Sequence, residues 1–162
     1  MRSLDRIYPI RDYSADRVQL LVNRYLWEML AVVGERRFFL GGNCQGAIIA
    51  LAMAKELKRI HRTPNLLILM EWAFNYGKYT GPVELIYGKE SHTADIFEGS
   101  NGRGIGWKED FPDHRLFSLS GKHGHFFDEP AIRLLAKRLN HCFQTYRSTS
   151  LMAKLSQKLS SH

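Results

Sequence analysis

The segment Gly42-Asn43-Cys44-Gln45-Gly46 places a cysteine between two glycines, at the junction of an apolar run and a stretch rich in Ala, Ile and Leu. The run Phe38–Leu40 predicts a buried strand, and the stretch after the turn predicts a buried helix that ends near Arg62. The first turn of a helix favours the negative charge of a thiolate. Glycines beside the cysteine predict flanking positions that have no room for a Cβ atom. The spacing therefore predicts a nucleophilic Cys44 at a sharp strand-to-helix turn.

A nucleophilic thiol needs a base, and the base needs a group that orients it. Glu71 follows the second predicted strand, and His123 and His125 follow the fourth. Because the carboxyl ends of parallel strands meet at one edge of a sheet, we expect these side chains to lie near Cys44. In an extended segment both histidines would share a face, so both are candidate bases. They lack the further ligands of a zinc site, and the sequence predicts neither a metal nor a cofactor.

The elements that must position these residues alternate between helix and strand. Apolar residues at helical spacing predict a first helix that begins at Ser14 and ends at Gly34. The remaining predictions are strands at Leu66–Met70, Val83–Tyr87 and Arg115–Leu119, an irregular stretch with a short helix at Gly88–Pro112, and a last helix at Glu129–Phe143. We expect an α/β domain over residues 1–146, with a mostly parallel sheet of about four strands and helices on both faces. A polar tail follows at 147–162.

Composition narrows the class of protein. The chain has 162 residues, a length that suits one domain. Because two cysteines cannot form a disulfide scaffold, we expect a cytoplasmic protein. The sequence has no run of about 18 apolar residues, so no membrane span is expected. The formal net charge of +7 favours acidic partners. No motif for reading bases or phosphates is present, so nucleic acid is not an expected partner.

The G-x-C-x-G turn, the order Cys44, Glu71, His123 and the Gly121-Lys122-His123 turn before the last helix together carry a resemblance. The chain resembles the thioesterase branch of the α/β-hydrolases found with nonribosomal peptide and polyketide synthetases, from roughly Tyr25 to Phe143. The resemblance implies that His123 rather than His125 is the base and that Glu71 orients it. It also implies that the backbone N–H of Gln45 forms half of an oxyanion hole.

The acidic residue that orients the histidine has alternatives to Glu71 in the sequence. Many α/β-hydrolases carry an aspartate after a later strand, in a Gly-x-x-Asp turn. Here that turn reads Gly88-Lys89-Glu90-Ser91, with Ser91 at the aspartate position. The departure favours Glu71, and Glu90 and Asp95 remain alternatives.

The activity that the resemblance implies is a cysteine-dependent thioesterase. Its substrate would be an acyl thioester on CoA or on an acidic acyl or peptidyl carrier protein. Two alternatives are an acyltransferase similar to polyhydroxyalkanoate synthases, which also use a cysteine turn, and a truncated domain that docks a carrier protein without catalysis.

The sequence departs from the family in two further ways. Only one helix precedes the turn, so the chain lacks the family's early strands and the loop that supplies the second oxyanion donor. The strand Phe38–Leu40 would then be an unpaired hydrophobic edge, so we expect a homodimer, completion by another polypeptide, or a fragment of a longer protein. Only Phe74–Pro82 separates the acid from the next strand, so we expect no lid and an open site.

Overall fold

The computed structural model describes residues 15–71, 77–98 and 107–159. Its centre is a sheet of four parallel strands in the order β1-β2-β3-β4. The strands are β1 Leu40–Asn43, β2 Leu67–Met70, β3 Val83–Gly88 and β4 His114–Leu119. The first three are paired so that Leu40 lies beside Leu67 and Leu67 beside Val83. The expected parallel sheet is confirmed, and all four carboxyl ends lie at one edge.

Helices cover both faces of the sheet. The helices are α1 Ala15–Val33, α2 Gln45–Arg59, α3 Ala94–Glu98, α4 Trp107–Asp110 and α5 Ala131–Leu159. Small and apolar residues of α2, such as Ala47 and Leu51, pack on Leu69 and Leu85 from one face. On the other face, Leu135 and Cys142 of α5 pack on Ile68, Ile86 and Leu119. Helix α1 packs on the outer side of α2 through Val22 and Met29.

Several element bounds differ from the sequence-based expectation. The first strand lies later, at Leu40–Asn43, because its glycines pair in register with Ile68 and Leu69. The last helix continues to Leu159 instead of ending near Phe143. Residues 131–159 contain neither glycine nor proline, so nothing in the sequence breaks the helix there. Ser14, the expected start of the first helix, lies outside the described residues.

A buried ion pair connects the sheet to α5. The side chain of Glu84, the second residue of β3, is fully buried and accepts a hydrogen bond of 2.6 Å from Arg138 Nε. The guanidinium of Arg138 also lies 4.8 Å from the centre of the Phe117 ring. Cys142 is buried close to this pair, and burial together with the Glu84 charge raises the pKa of its thiol to about 11.

Strand β1 lies at the edge of the sheet. Within the described part of the chain it pairs with β2 alone. The amides of Leu40 and Cys44 donate to the carbonyls of Leu66 and Met70, so the N–H groups of the alternate residues Gly41 and Asn43 face the open side. A mostly apolar groove of about 240 Å³ lies over Gly41, between Phe39, Met70 and Phe143. None of the described helices is long and apolar enough to cross a membrane.

Candidate active site

Cys44 occupies the turn between β1 and α2 in a strained backbone conformation. Its φ is 51° and its ψ is −118°, a backbone conformation that residues other than glycine rarely adopt. Its amide donates to the Met70 carbonyl over 2.9 Å, which continues the β1–β2 ladder into the turn. Parallel pairing thus holds the half-buried thiol at the carboxyl edge of the sheet, beside the end of β2.

The two glycines of the turn have different surroundings. A Cβ atom on Gly42 would lie 2.1 Å from the Gly46 carbonyl oxygen, so only glycine allows the helix to approach the strand. A Cβ atom on Gly46 would have no neighbour within 4 Å. The expectation that both positions lack room is therefore right for Gly42 and wrong for Gly46, the second residue of α2, where the space that a Cβ atom would fill is open.

Glu71 is the first residue after β2, and its side chain is completely buried. Its φ is 53°, so it also has a backbone conformation that is unusual for a residue with a side chain. Its amide donates to the Ile86 carbonyl over 2.8 Å, which fixes it beside the end of β3. A buried carboxylate needs hydrogen-bond donors, and Glu71 has them on both oxygens. One is the amide of Gly88, 2.6 Å from Oε1.

His123 lies in the loop after β4, between Gly121 and Gly124, which both have positive φ values. Its Nδ1 lies 2.6 Å from Glu71 Oε2, and its side chain is 37% exposed. An ionised carboxylate can only accept, so Nδ1 carries the proton and the neutral ring keeps Nε2 free as a proton acceptor. No hydrogen bond to Nε2 forms within the described residues. The ring of the exposed His92 lies 5.3 Å from that of His123, between ring centres.

The structure thus brings two of the predicted groups into contact and holds the third at the same edge. Glu71 and His123 form a short pair, and Cys44 is joined to the residue before Glu71 by its amide. A hydrogen bond between the Cys44 thiol and His123 is not formed among the described residues. Catalytic hydrogen bonds are often long before substrate binds. Gln45 begins α2, where backbone N–H groups have no acceptor within the helix and can bind an anion.

The alternative residues lie elsewhere. His125 Nδ1 is 2.9 Å from Asp128 Oδ2, and both side chains are exposed. The two histidines therefore do not share a partner, because His125 begins a short 3-10 turn where an extended segment was expected. Glu90 is exposed, and its amide donates to the Gly121 carbonyl. The side chain of Asp95 lies outside the described parts, as do residues 72–76 of the segment before β3.

Two hydroxyl groups complete the surroundings of Glu71, and sequence reasoning gave neither of them a role. Thr93 Oγ1 lies 3.2 Å from Glu71 Oε2, and Ser91 Oγ lies 2.5 Å from Thr93 Oγ1. Both residues are buried. The available signal was Ser91 itself, a hydroxyl at the aspartate position of a Gly-x-x-Asp turn.

Comparison with known proteins concerns the fold that carries this site. No protein-family profile matches the chain, and no curated protein matches its sequence significantly. Human thioesterase 2 is similar in structure, with a TM-score of 0.63 and 15% identity over 78% of this chain and 82% of that one. The NocB thioesterase domain from the nocardicin cluster has a TM-score of 0.65 and 16% identity over 78% of this chain and 73% of its own.

A third similar structure is the Vlm2 thioesterase domain with genetically encoded 2,3-diaminopropionic acid, bound with a dodecadepsipeptide. Its TM-score is 0.61 at 12% identity, over 76% of this chain and 73% of that chain. At such low identities the likeness establishes the fold and not the reaction. The four parallel strands with helices on both faces form the α/β-hydrolase fold of thioesterase domains.

Proposed function

We propose that this protein is a cysteine-dependent thioesterase that forms an acyl-enzyme on Cys44. The observation that carries the proposal is the pair of buried Glu71 and partly exposed His123 at the same sheet edge as a cysteine with φ of 51°. A strained residue at a strand-to-helix turn is typical of a nucleophile held clear of its own backbone. Similarity in fold to thioesterase domains supports the same reaction class.

The first half of the reaction acylates the enzyme. Nε2 of His123 takes the thiol proton, and Cys44 Sγ bonds to the thioester carbonyl carbon. Negative charge develops on the carbonyl oxygen, where the N–H groups at the start of α2 stabilise it. The carbon–sulfur bond of the substrate then breaks, and the leaving thiolate takes the proton from Nε2. Glu71 orients the ring and stabilises its charged form throughout.

The second half releases the acyl group. Nε2 of His123 accepts a proton from water as the water oxygen bonds to the acyl carbon. The bond between that carbon and Cys44 Sγ breaks, and Sγ takes the proton back from the imidazolium. The products are a carboxylic acid, a free thiol and the starting enzyme. A thiol in place of water would give acyl transfer, which product analysis with an added thiol detects.

The charge at the rim of the site supports a thioester substrate with an acidic carrier. Lys89 and Lys122 are exposed, on the two loops that follow β3 and β4, and Glu90 is the neighbouring acidic residue. The amide of Lys89 donates to the Leu119 carbonyl, so these loops lie together. Positive charge beside the His123 loop suits an acidic carrier protein or the phosphates of CoA.

Thiol release from an acyl-N-acetylcysteamine thioester tests the reaction. We expect turnover by the wild type, loss of turnover in Cys44→Ala and His123→Ala, and near-normal turnover in the control His125→Ala. Equal rates in wild type and Cys44→Ala would contradict the proposal. Replacing Lys89 and Lys122 by Glu should raise KM for a carrier-bound substrate and leave KM for the small thioester unchanged.

A further inference from the structure

The Glu71 carboxylate receives three hydrogen bonds, from the last residue of β3, from the turn after β3 and from the loop after β4. Gly88 N–H donates to Oε1, while Thr93 Oγ1 and His123 Nδ1 both lie within hydrogen-bonding distance of Oε2. One oxygen is therefore fixed by the backbone, and the other is shared by a hydroxyl and the imidazole. The direction in which Oε2 faces His123 therefore depends on the contacts with Gly88 and Thr93.

The protons of the hydroxyl chain can be placed from the chemistry of the groups. A carboxylate accepts only, so Thr93 Oγ1–H must donate to Glu71 Oε2. A hydroxyl has one proton, so the 2.5 Å contact between Ser91 Oγ and Thr93 Oγ1 requires Ser91 to donate. Ser91 Oγ in turn accepts from the Thr93 amide over 3.2 Å. The two hydroxyl hydrogen bonds therefore run in one direction, from Ser91 Oγ–H to Thr93 Oγ1 and from Thr93 Oγ1–H to Glu71 Oε2.

The turn that holds these hydroxyls is fixed from several sides. Ser91 N–H donates to the Gly88 carbonyl, and the amides of Lys89 and Glu90 donate to carbonyls of the segment before His123. Thr93 is completely buried and Ser91 is 7% exposed, so water does not compete effectively for their protons. A Cβ atom on Gly88 would lie 2.4 Å from the Gly121 carbonyl oxygen, so the turn lies directly against the histidine loop.

We propose that Thr93, held by Ser91, is a positioning residue that aims Glu71 Oε2 at His123 Nδ1. This inference rests on the proposed function only for its effect on rate, because the contact itself exists without substrate. Loss of the Thr93 hydroxyl removes one of two donors to Oε2, so the imidazole becomes the only donor to that oxygen, and Gly88 N–H on Oε1 is the only other hydrogen bond to the carboxylate. The imidazole is then held less firmly by Glu71 Oε2, which lowers turnover without changing substrate contacts.

The test compares Thr93→Val, which keeps the shape and removes the hydroxyl, with Thr93→Ser, which keeps the hydroxyl. We expect Thr93→Val to lower kcat on the order of 10-fold with KM changed less than about 2-fold, and Thr93→Ser to retain kcat within about 3-fold. Ser91→Ala should give a smaller loss in the same direction, and it serves as the test if Thr93→Val does not fold.

A second measurement does not depend on activity. The proton on His123 Nδ1 should give a downfield NMR resonance in the wild type and in Thr93→Ser, assigned by its absence in Glu71→Gln. We expect this resonance to broaden or disappear in Thr93→Val. A variant that melts earlier but keeps both kcat and the resonance would overturn the inference and leave Thr93 a structural residue. If the wild type releases no thiol, the proposed function fails, and the resonance alone still decides the positioning role.

Discussion

Replacing Glu71 by Gln should abolish most of the activity while preserving the shape of the site. The amide oxygen can still accept from Gly88 N–H, which lies 2.6 Å from Oε1. The amide nitrogen then faces His123 and donates to Nδ1, so the imidazole must carry its proton on Nε2. In that tautomer Nε2 cannot take the Cys44 proton. The change therefore removes both the negative charge and the correct tautomer.

The size of the charge effect follows from the geometry. Unit charges about 4 Å apart interact by about 4 kcal/mol at an effective dielectric constant near 20. The His123 side chain is 37% exposed, and solvent screening reduces the effect to about 2–3 kcal/mol. Each 1.36 kcal/mol is about tenfold in rate, so the charge alone accounts for a fall in kcat of about 30- to 150-fold. With the tautomer change added, we expect a loss of at least about 100-fold.

The assay is the steady-state release of thiol from an acyl-N-acetylcysteamine thioester, with thermal unfolding measured in parallel. Glu84→Gln is a matched control, because the Glu84 side chain is also fully buried and ion-paired, but its partner is Arg138. We expect Glu84→Gln to lower the free energy of unfolding and to retain kcat. If a folded Glu71→Gln variant turns over at the wild-type rate, the assigned role of Glu71 is refuted.

Three further predictions follow from the described structure. Iodoacetamide at pH 8 should modify half-buried Cys44 and spare Cys142, and peptide mapping identifies the modified sites. The pKa of the Cys142 thiol, about 11, leaves roughly one thiolate in a thousand at that pH. Equal labelling of the two cysteines would contradict the burial of Cys142. Gly42→Ala should lose at least about 3 kcal/mol of stability or fail to fold, because its Cβ atom would meet backbone at 2.1 Å. Gly46→Ala, within helix α2, should instead gain about 0.5–1 kcal/mol of stability. Denaturant unfolding measures both changes, and similar effects of the two substitutions would be inconsistent with the turn. The open side of β1 should drive self-association of the chain. Light scattering should therefore give a mass above the 18.7 kDa of one chain. A stable monomer would count against pairing at this edge.

Much of the fold was predictable from local pattern. Continuous apolar runs such as Leu67–Met70 predict buried parallel strands, and the glycines around Cys44 predict the sharp turn. The position of Glu71 after a strand was also readable, because parallel strands bring their carboxyl ends together. The sequence did not predict where β1 begins, since its glycines have weak strand preference and only pairing with β2 fixes its register.

Contacts between distant segments could not be predicted. The Glu84–Arg138 ion pair joins β3 to α5 across 54 residues of sequence, and neither residue marks its partner in the sequence. The Thr93 hydroxyl contacts Glu71 only because the turn after β3 folds over the end of β2. The distinct partners of His123 and His125 depend on a turn whose backbone angles are set by Gly121 and Gly124.

The most direct test of the central claim is intact-protein mass spectrometry after a brief incubation with an acyl-N-acetylcysteamine thioester and an acid quench. Cys142→Ala is the matched control for the second cysteine, which is buried. We expect one acyl mass on the wild type and on Cys142→Ala, and none on Cys44→Ala. Acylation of Cys44→Ala to the wild-type extent, or a wild type that neither gains mass nor releases thiol, would contradict a nucleophilic Cys44.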